Sequence, residues 1–411
     1  MLSRTPPRAA LRLAFARCPA QQRLHSRPAS TVREQFRAQC RKSPVFFPLA
    51  VTVIVVVSGM AALYVPWYYH HVIVKPYHNF PEPVAQKLRK ALFYSRGKWL
   101  DLREANRHFR QALALADDLG MDPFSDEIMG VKYTIAALFE DAGYYSLAVD
   151  VLEIMRSDCR RWVDDCSHAH WHNGNRSRVL KNMVHINVKL AQLYDIRYVN
   201  EPDSGEKRLV EAVESALRER RRRETEGVKT GEGPWLTDGE LGATLEALGT
   251  HYEHFDAHHL ATPLFVKALE LAAPTSCHRV VLMNNISACL AQQSPPPSAD
   301  APALSPAPAD FPVSSTPPRA LLIDQARQWA TRALAQASTI TPPDRNDECD
   351  VACAVATHNL GEFFEMEGRL HEARQKYQDA AKLAKAAGFA EGQTNARAAL
   401  QRLKELEKHR A

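Results

Sequence analysis

The sequence predicts an all-α protein: an array of antiparallel helical hairpins following one N-terminal transmembrane helix. Three observations carry this. Residues 45–69 contain no charged side chain and are dominated by Val, Ile and other apolar types. The region after them is rich in Ala, Leu, Glu and Arg at helical spacing, broken by Gly, Pro and Asp. One frame of small and large residues then recurs along that region, which marks a repeat architecture.

Residues 1–33 carry Arg4, Arg8, Arg12, Arg17, Arg23, Arg27 and Arg33, and no acid precedes Glu34. An Arg-rich, acid-free stretch containing Ser and Ala, with Leu2, Leu11, Leu13 and Phe15 able to line one side of a short helix, has the pattern of a mitochondrial presequence. Cleavage is expected between about Leu24 and Ser30. Residues 34–44 form a basic flank with Arg37, Arg41 and Lys42. Val45 to Val65 is long enough for a bilayer core, which needs about 20 apolar helical residues. Pro48 falls in the first turn, Pro66 where the helix is expected to stop, and Trp67, Tyr68 and Tyr69 suit the headgroup boundary. The positive flank precedes the span and only His70, His71 and Lys75 follow closely. Positive flanks stay on the matrix side. The expected topology is a single-pass protein of the mitochondrial inner membrane, N-terminus in the matrix and C-terminal region in the intermembrane space. Residues 70–82 would be a juxtamembrane linker.

The clearest repeat is ATHNLGEFFEMEGRLHEARQKYQDAAKLA, residues 356–384. Leu360, Gly361, Phe364, Gly368, Ala373, Tyr377 and Ala380 have the spacing of a tetratricopeptide (TPR) repeat. Small residues let two antiparallel helices approach, a Gly turns the chain between them, and large residues fill the space to the next pair. Leu248, Gly249, Tyr252, Ala261, Phe265 and Ala268 repeat the frame, as do Ala136, Phe139, Gly143, Ala148 and Leu152. Leu190, Ala191 and Tyr194 begin another pair, and Ile286, Ser287 and Leu290 another. Ala105, Phe109 and Ala112 belong to the weakest, nearest the membrane. About six hairpins are expected over 83–293 and 320–411, ending in a polar capping helix at Gln393–Lys408. The Pro/Ala/Ser-rich stretch 294–319 reads as an unstructured surface insert, and the basic run at 218–233 as a solvated helix end.

Signatures of catalysis are missing: there is no GxxxxGK[ST], HExxH, GxSxG, GxGxxG or CxxC. The sequence calls for no enzyme activity and no cofactor. The net charge of +5 is owed largely to the first 44 residues, so nothing favours nucleic acid. Cys159, Cys166, His168, His170 and His172 include metal-ligating types, but they fall where one hairpin hands over to the next, and a polar loop is the expectation there. Cys277, Cys349 and Cys353 lie at the starts of neighbouring repeats, in a compartment that permits disulfides. They are candidates for a bridge from Cys277 to Cys349 or Cys353, with free buried thiols as the alternative.

Function should then lie on the face made by the first helix of each hairpin. The frame places Tyr133, Ala137 and Glu140 there; His185, Val188 and Gln192; Glu246, Thr250 and Glu253; Asn284 and Ala288; and His358, Glu362 and Glu365. Glu246, Glu253, Glu362 and Glu365 would repel an acidic peptide and suit basic or mixed segments.

KPYHNFPEPVAQKLRKALFYS, directly after the span, and LGMDPFSDEIMGVKYTIAALFEDAGYYSLAVDVLEIMRSDCRRW resemble the fungal TPR-containing adaptor subunits of the mitochondrial i-AAA protease supercomplex. The resemblance extends to the layout of presequence, single span and repeats. It implies binding to the membrane-anchored i-AAA protease and a second adaptor subunit, and delivery of unfolded intermembrane-space proteins to that protease. It brings no catalytic residues. A scaffold or assembly factor for respiratory complexes, or an import receptor, is the alternative that the same repeats would serve.

Overall fold

The computed structural model describes residues 32–69, 71, 79–97, 100–293 and 318–410. The expected presequence up to residue 31, most of the linker and insert residues 294–317 lie outside the described residues. The chain divides into two units at Phe80/Pro81. The described part of the first holds α1, Val32–Lys42, and α2, Phe46–Tyr68. None of the 23 residues of α2 is buried, and it is the one described helix long and apolar enough to cross a membrane. It does not stop at Pro66 as expected. Pro66 forgoes its own N–H bond, but the helix runs on past it, and the Tyr69 N–H bonds the carbonyls of Val65 and Pro66.

The second unit is a run of hairpins, each helix packing on the next. The pairs are α3 (Glu82–Tyr94) with α4 (Leu102–Asp118), α5 (Asp126–Asp141) with α6 (Tyr145–Cys166), and α7 (Asn175–Tyr194) with α8 (Pro202–Glu226). Next come α9 (Asp238–His254) with α10 (His258–Leu271), α11 (His278–Gln292) with α12 (Arg319–Thr339), and α13 (Asp347–Met366) with α14 (Leu370–Ala386). Helix α15 (Ala390–Arg410) closes the series by packing on α14 and burying Ala396, Ala399 and Leu403.

The repeated frame acts as its chemistry requires. Ala105, Ala148, Ala261, Ala326 and Ala373 are fully buried near the starts of second helices, where the helices come closest. Phe109, Phe265 and Tyr377 follow four residues after three of them and are equally enclosed. Burying each such ring stabilises by about 1.5–3 kcal/mol. The Phe265 and Tyr377 rings lie against the first helix of the same hairpin, and this explains the paired Leu-Gly. A Cβ at Gly249 would stand 2.9 Å from the Phe265 ring, and one at Gly361 only 2.7 Å from the Tyr377 ring.

Three hairpin turns share one hydrogen-bond pattern. The Tyr144, Ala257 and Arg369 N–H groups each bond back at 2.8 Å to Phe139, Tyr252 and Phe364. The residue before each has positive φ: Gly143 at 78°, Asp256 at 57° and Gly368 at 78°. These are Schellman closures, which satisfy orphan carbonyls at a helix end. At helix starts, Ser125, Thr237 and Asn346 accept from the backbone of α5, α9 and α13, and Thr237 forms a capping box with Glu240.

The basic run departs from expectation. Arg222 and Arg223 are largely buried, as are Glu219 and Glu232, whose side chains are 5% and 1% exposed. Glu219 accepts from Arg222 at 2.6 Å, Arg176 at 2.9 Å and Arg223 at 3.1 Å, while Glu232 pairs with Arg222 and with Arg223 at 3.3 Å. Trp171 stacks under Arg176 and Lys229, 4.0 and 3.6 Å from its ring centre. Burial opposes ionisation of Glu219, but hydrogen bonds from Arg222 and Arg176 win and hold its carboxyl at about 2. Arg218 and Arg221 stay exposed as expected, but Glu219, Arg222, Arg223 and Glu232 form an internal ionic cluster joining α7 and α8 to the two loops that flank them. The same loops meet again where the His172 ring bonds the Thr230 carbonyl at 2.9 Å.

Candidate functional site

The first helices of successive hairpins, α5, α7, α9, α11 and α13, carry the face expected to bind. The residues chosen from sequence divide into two kinds there. One kind stitches neighbouring helices together. Tyr133 of α5 donates to the Asn182 carbonyl of α7 at 3.3 Å, and Glu140 pairs with Lys189 at 2.8 Å. Burial pushes the Tyr133 phenol well above its usual range. Glu246 of α9 receives His278 of α11 at 2.7 Å, and the other ring nitrogen of His278 bonds Glu348 of α13 at 2.9 Å. The bond to Glu246 outweighs burial, and with that to Glu348 it raises His278 to about 9, so it is an imidazolium at neutral pH. Glu365 accepts Arg402 of α15 at 2.8 Å and Tyr377 at 2.7 Å.

Asn284 corrects the sequence expectation most sharply. It is buried at 3% exposure and donates to the Ala352 carbonyl of α13 at 2.9 Å, because α11 and α13 pack directly on one another. It is therefore absent from the surface. Cys277, just before α11, is bonded to Cys349 in the first turn of α13, with Cα atoms 4.8 Å apart. Cys353, one turn on, is a free and half-buried thiol.

The second kind stays open. Ala137, Gln192 and Thr250 are exposed. Val188, Ala288 and His185 are half-buried, and burial lowers the pKa of His185, leaving it neutral. His358 faces Glu362 at 3.5 Å. Glu253 is half-buried without an ion pair among the described residues, and burial raises its pKa.

Gln192, Glu246 and Thr250 converge on one groove of about 500 Å³ between α7 and α9. Ala191, Leu209, Ala243 and Ala247 give it apolar walls, and Asp195, His251 and His254 add polar groups. His251 is buried and bonds Asp195 at 2.9 Å, linking the two helices beside the groove. Lys181 and Glu240 link them again at 2.7 Å. The groove thus lies between helices tied at two points, and its lining combines apolar walls with hydrogen-bonding groups. That chemistry suits an extended polypeptide segment. Sequence spacing missed Asp195, His251 and His254; the helix-end position of Asp195 gives no sign of a partner two helices away.

The metal-ligating types between residues 159 and 172 are dispersed among the described residues. Cys159 is buried in α6, and burial pushes its thiol up to about 11. Cys166 is half-buried at the end of α6, His170 bonds Asn173, and His172 bonds the Thr230 carbonyl. The His168 side chain lies outside the described residues. Among the described residues no three His, Cys, Asp or Glu side chains are placed to hold a metal ion.

No family model matches the chain. A TPR repeat-containing protein of Schizosaccharomyces pombe is 25% identical over 366 residues, 87% of this chain and 86% of the relative. Among solved structures, BtubC (BKLC) from P. vanneervenii is similar at TM-score 0.44 and 15% identity, covering 70% of this chain and 91% of its own. The quorum sensor NprR of B. thuringiensis is similar at TM-score 0.40 and 13% identity, covering 90% and 91%. The hairpin packing and the S. pombe relative mark this chain as a TPR-type repeat protein, a class built to bind other proteins.

Proposed function

We propose that this chain is an adaptor subunit of the mitochondrial inner-membrane i-AAA protease. It holds unfolded or misfolded segments of intermembrane-space proteins in the groove between α7 and α9 and so presents them for ATP-dependent proteolysis. The observation that carries the reading is the coexistence, in one chain, of that groove and a 23-residue apolar helix with no buried residue. The resemblance of residues 75–95 and 119–162 to the adaptor family names the protease. Tethering raises the effective concentration of a weakly held client beside a membrane-bound protease, to the millimolar range for short linkers. A mixed groove needs no particular client sequence, only an extended chain with apolar and polar or basic side chains. In this proposal the N-terminus lies in the matrix, the repeats lie in the intermembrane space, and a second adaptor subunit joins the assembly. The protease supplies all bond-breaking chemistry.

Protease protection and affinity purification test this together. The repeats should be digested only after the outer membrane is opened, and the tagged chain should recover a membrane-bound ATP-dependent metalloprotease. Digestion in intact mitochondria would overturn the topology. Recovery of respiratory-complex subunits without the protease would replace the adaptor role with an assembly role.

A further inference from the structure

The short helix before the span has two distinct faces. In α1, Phe36 and Cys40 are one turn apart and share a stripe, and Arg37 and Arg41 share the stripe beside it. Lys42 ends the helix, and Glu34 is its single acid. Arg37, Arg41 and Lys42 are exposed, and the Phe36 side chain is 44% exposed. The Phe36 ring meets the Phe47 ring edge-on at 5.3 Å, in the first turn of α2. This contact sets Phe36 beside the first turn of the apolar helix. Cations flanking such a stripe can reach the headgroup layer while their stems cover apolar surface.

We propose that α1 lies in the membrane interface and binds the anionic headgroups of acidic phospholipids through Arg37, Arg41 and Lys42, with Phe36 and Cys40 turned to the acyl boundary. This rests on α2 being a membrane span. The occupant follows from charge: three exposed cations beside one apolar edge match a surface of phosphodiesters, and interfacial helices bind by buried apolar area plus attraction to anionic lipid. Each basic residue near such a surface contributes about a fivefold shift, so three together give on the order of 100-fold. Anchoring by α2 alone would leave α1 indifferent to lipid charge.

The test uses the full chain reconstituted in two kinds of vesicle, one of phosphatidylcholine and one with about one-fifth phosphatidylglycerol. Hydrogen exchange is followed in both helices. Residues 34–42 should exchange on the order of 100-fold more slowly on the anionic vesicles. The combined variant R37Q, R41Q and K42Q should lose most of that difference, and high salt should reduce it. Equal exchange of α1 on the two vesicles, with α2 protected in both, would overturn the lipid contact and leave the span standing. A difference that persists in the variant would also overturn it. Unprotected α2 amides in both vesicles would overturn the span and the inference together.

Discussion

Glu219→Gln separates a structural cluster from a solvated helix end. The substitution keeps shape and removes one negative charge from a cluster in which Arg176, Arg222 and Arg223 share two carboxylates. The Glu219 carboxyl is held at about 2, against an ordinary 4.5. At about 1.4 kcal/mol per unit, that depression is worth on the order of 3 kcal/mol to the folded state. Loss of one partner from a buried ion pair costs a similar 3–5 kcal/mol. The sign follows from the direction of the shift. A depressed carboxyl contributes its full stabilisation above its unfolded pKa and loses it as pH falls through the folded value. The cost of Glu219→Gln should therefore be about 3 kcal/mol at neutral pH, shrink below about pH 4.5, and vanish near pH 2. Urea unfolding of the detergent-solubilised chain, followed by circular dichroism at several pH values, reads this directly. A pH-independent cost, or one under about 0.5 kcal/mol as for an exposed side chain, would refute the buried cluster.

Gly361→Ala should destabilise by about 1–3 kcal/mol, because the added carbon meets the enclosed Tyr377 ring and the helices must part; urea midpoints check this. The Cys277–Cys349 bridge closes a separation of 72 residues, for which the chain-entropy estimate is about 4 kcal/mol. Replacing both by Ser should lower stability by up to that amount, and native alkylation should label Cys353 but neither Cys277 nor Cys349 before reduction. Thr250→Arg with Gln192→Arg should fill the groove, reduce crosslinking to unfolded clients several-fold, and leave stability within about 0.5 kcal/mol because both positions are exposed. Unchanged crosslinking would move client binding off this face.

The parts of the fold legible in sequence are those set by local chemistry. A left-handed turn favours glycine, as at Gly143 and Gly368, and a ring crossing a helix needs Gly361, so both leave a fixed spacing in the chain. The apolar helix α2 is legible for the same reason, since its length and composition are an unbroken run in the sequence. The site is less legible. Helical periodicity assigns Asn284 and Thr250 to the same face, but it does not say how closely the next first helix approaches. α13 covers Asn284, while the groove beside α9 leaves Thr250 exposed. The same limit hid the roles of Glu140, Glu246 and Glu365, whose partners are Lys189, His278 and Arg402. The arginines of the basic run looked like a solvated end because Glu232 lies in the following loop and Trp171 about fifty residues earlier. Charge reversal at Glu246 or Glu365 would break helix contacts as well as alter the surface, so Thr250, Gln192 and Glu253 are the cleaner probes of binding.

Affinity purification of the tagged full chain from solubilised mitochondria tests the adaptor role most directly. The proposal predicts co-recovery of the membrane-bound ATP-dependent metalloprotease with wild-type chain and with the Thr250→Arg, Gln192→Arg variant alike, while unfolded clients are enriched by wild type alone. Absence of the protease from the wild-type eluate would contradict it.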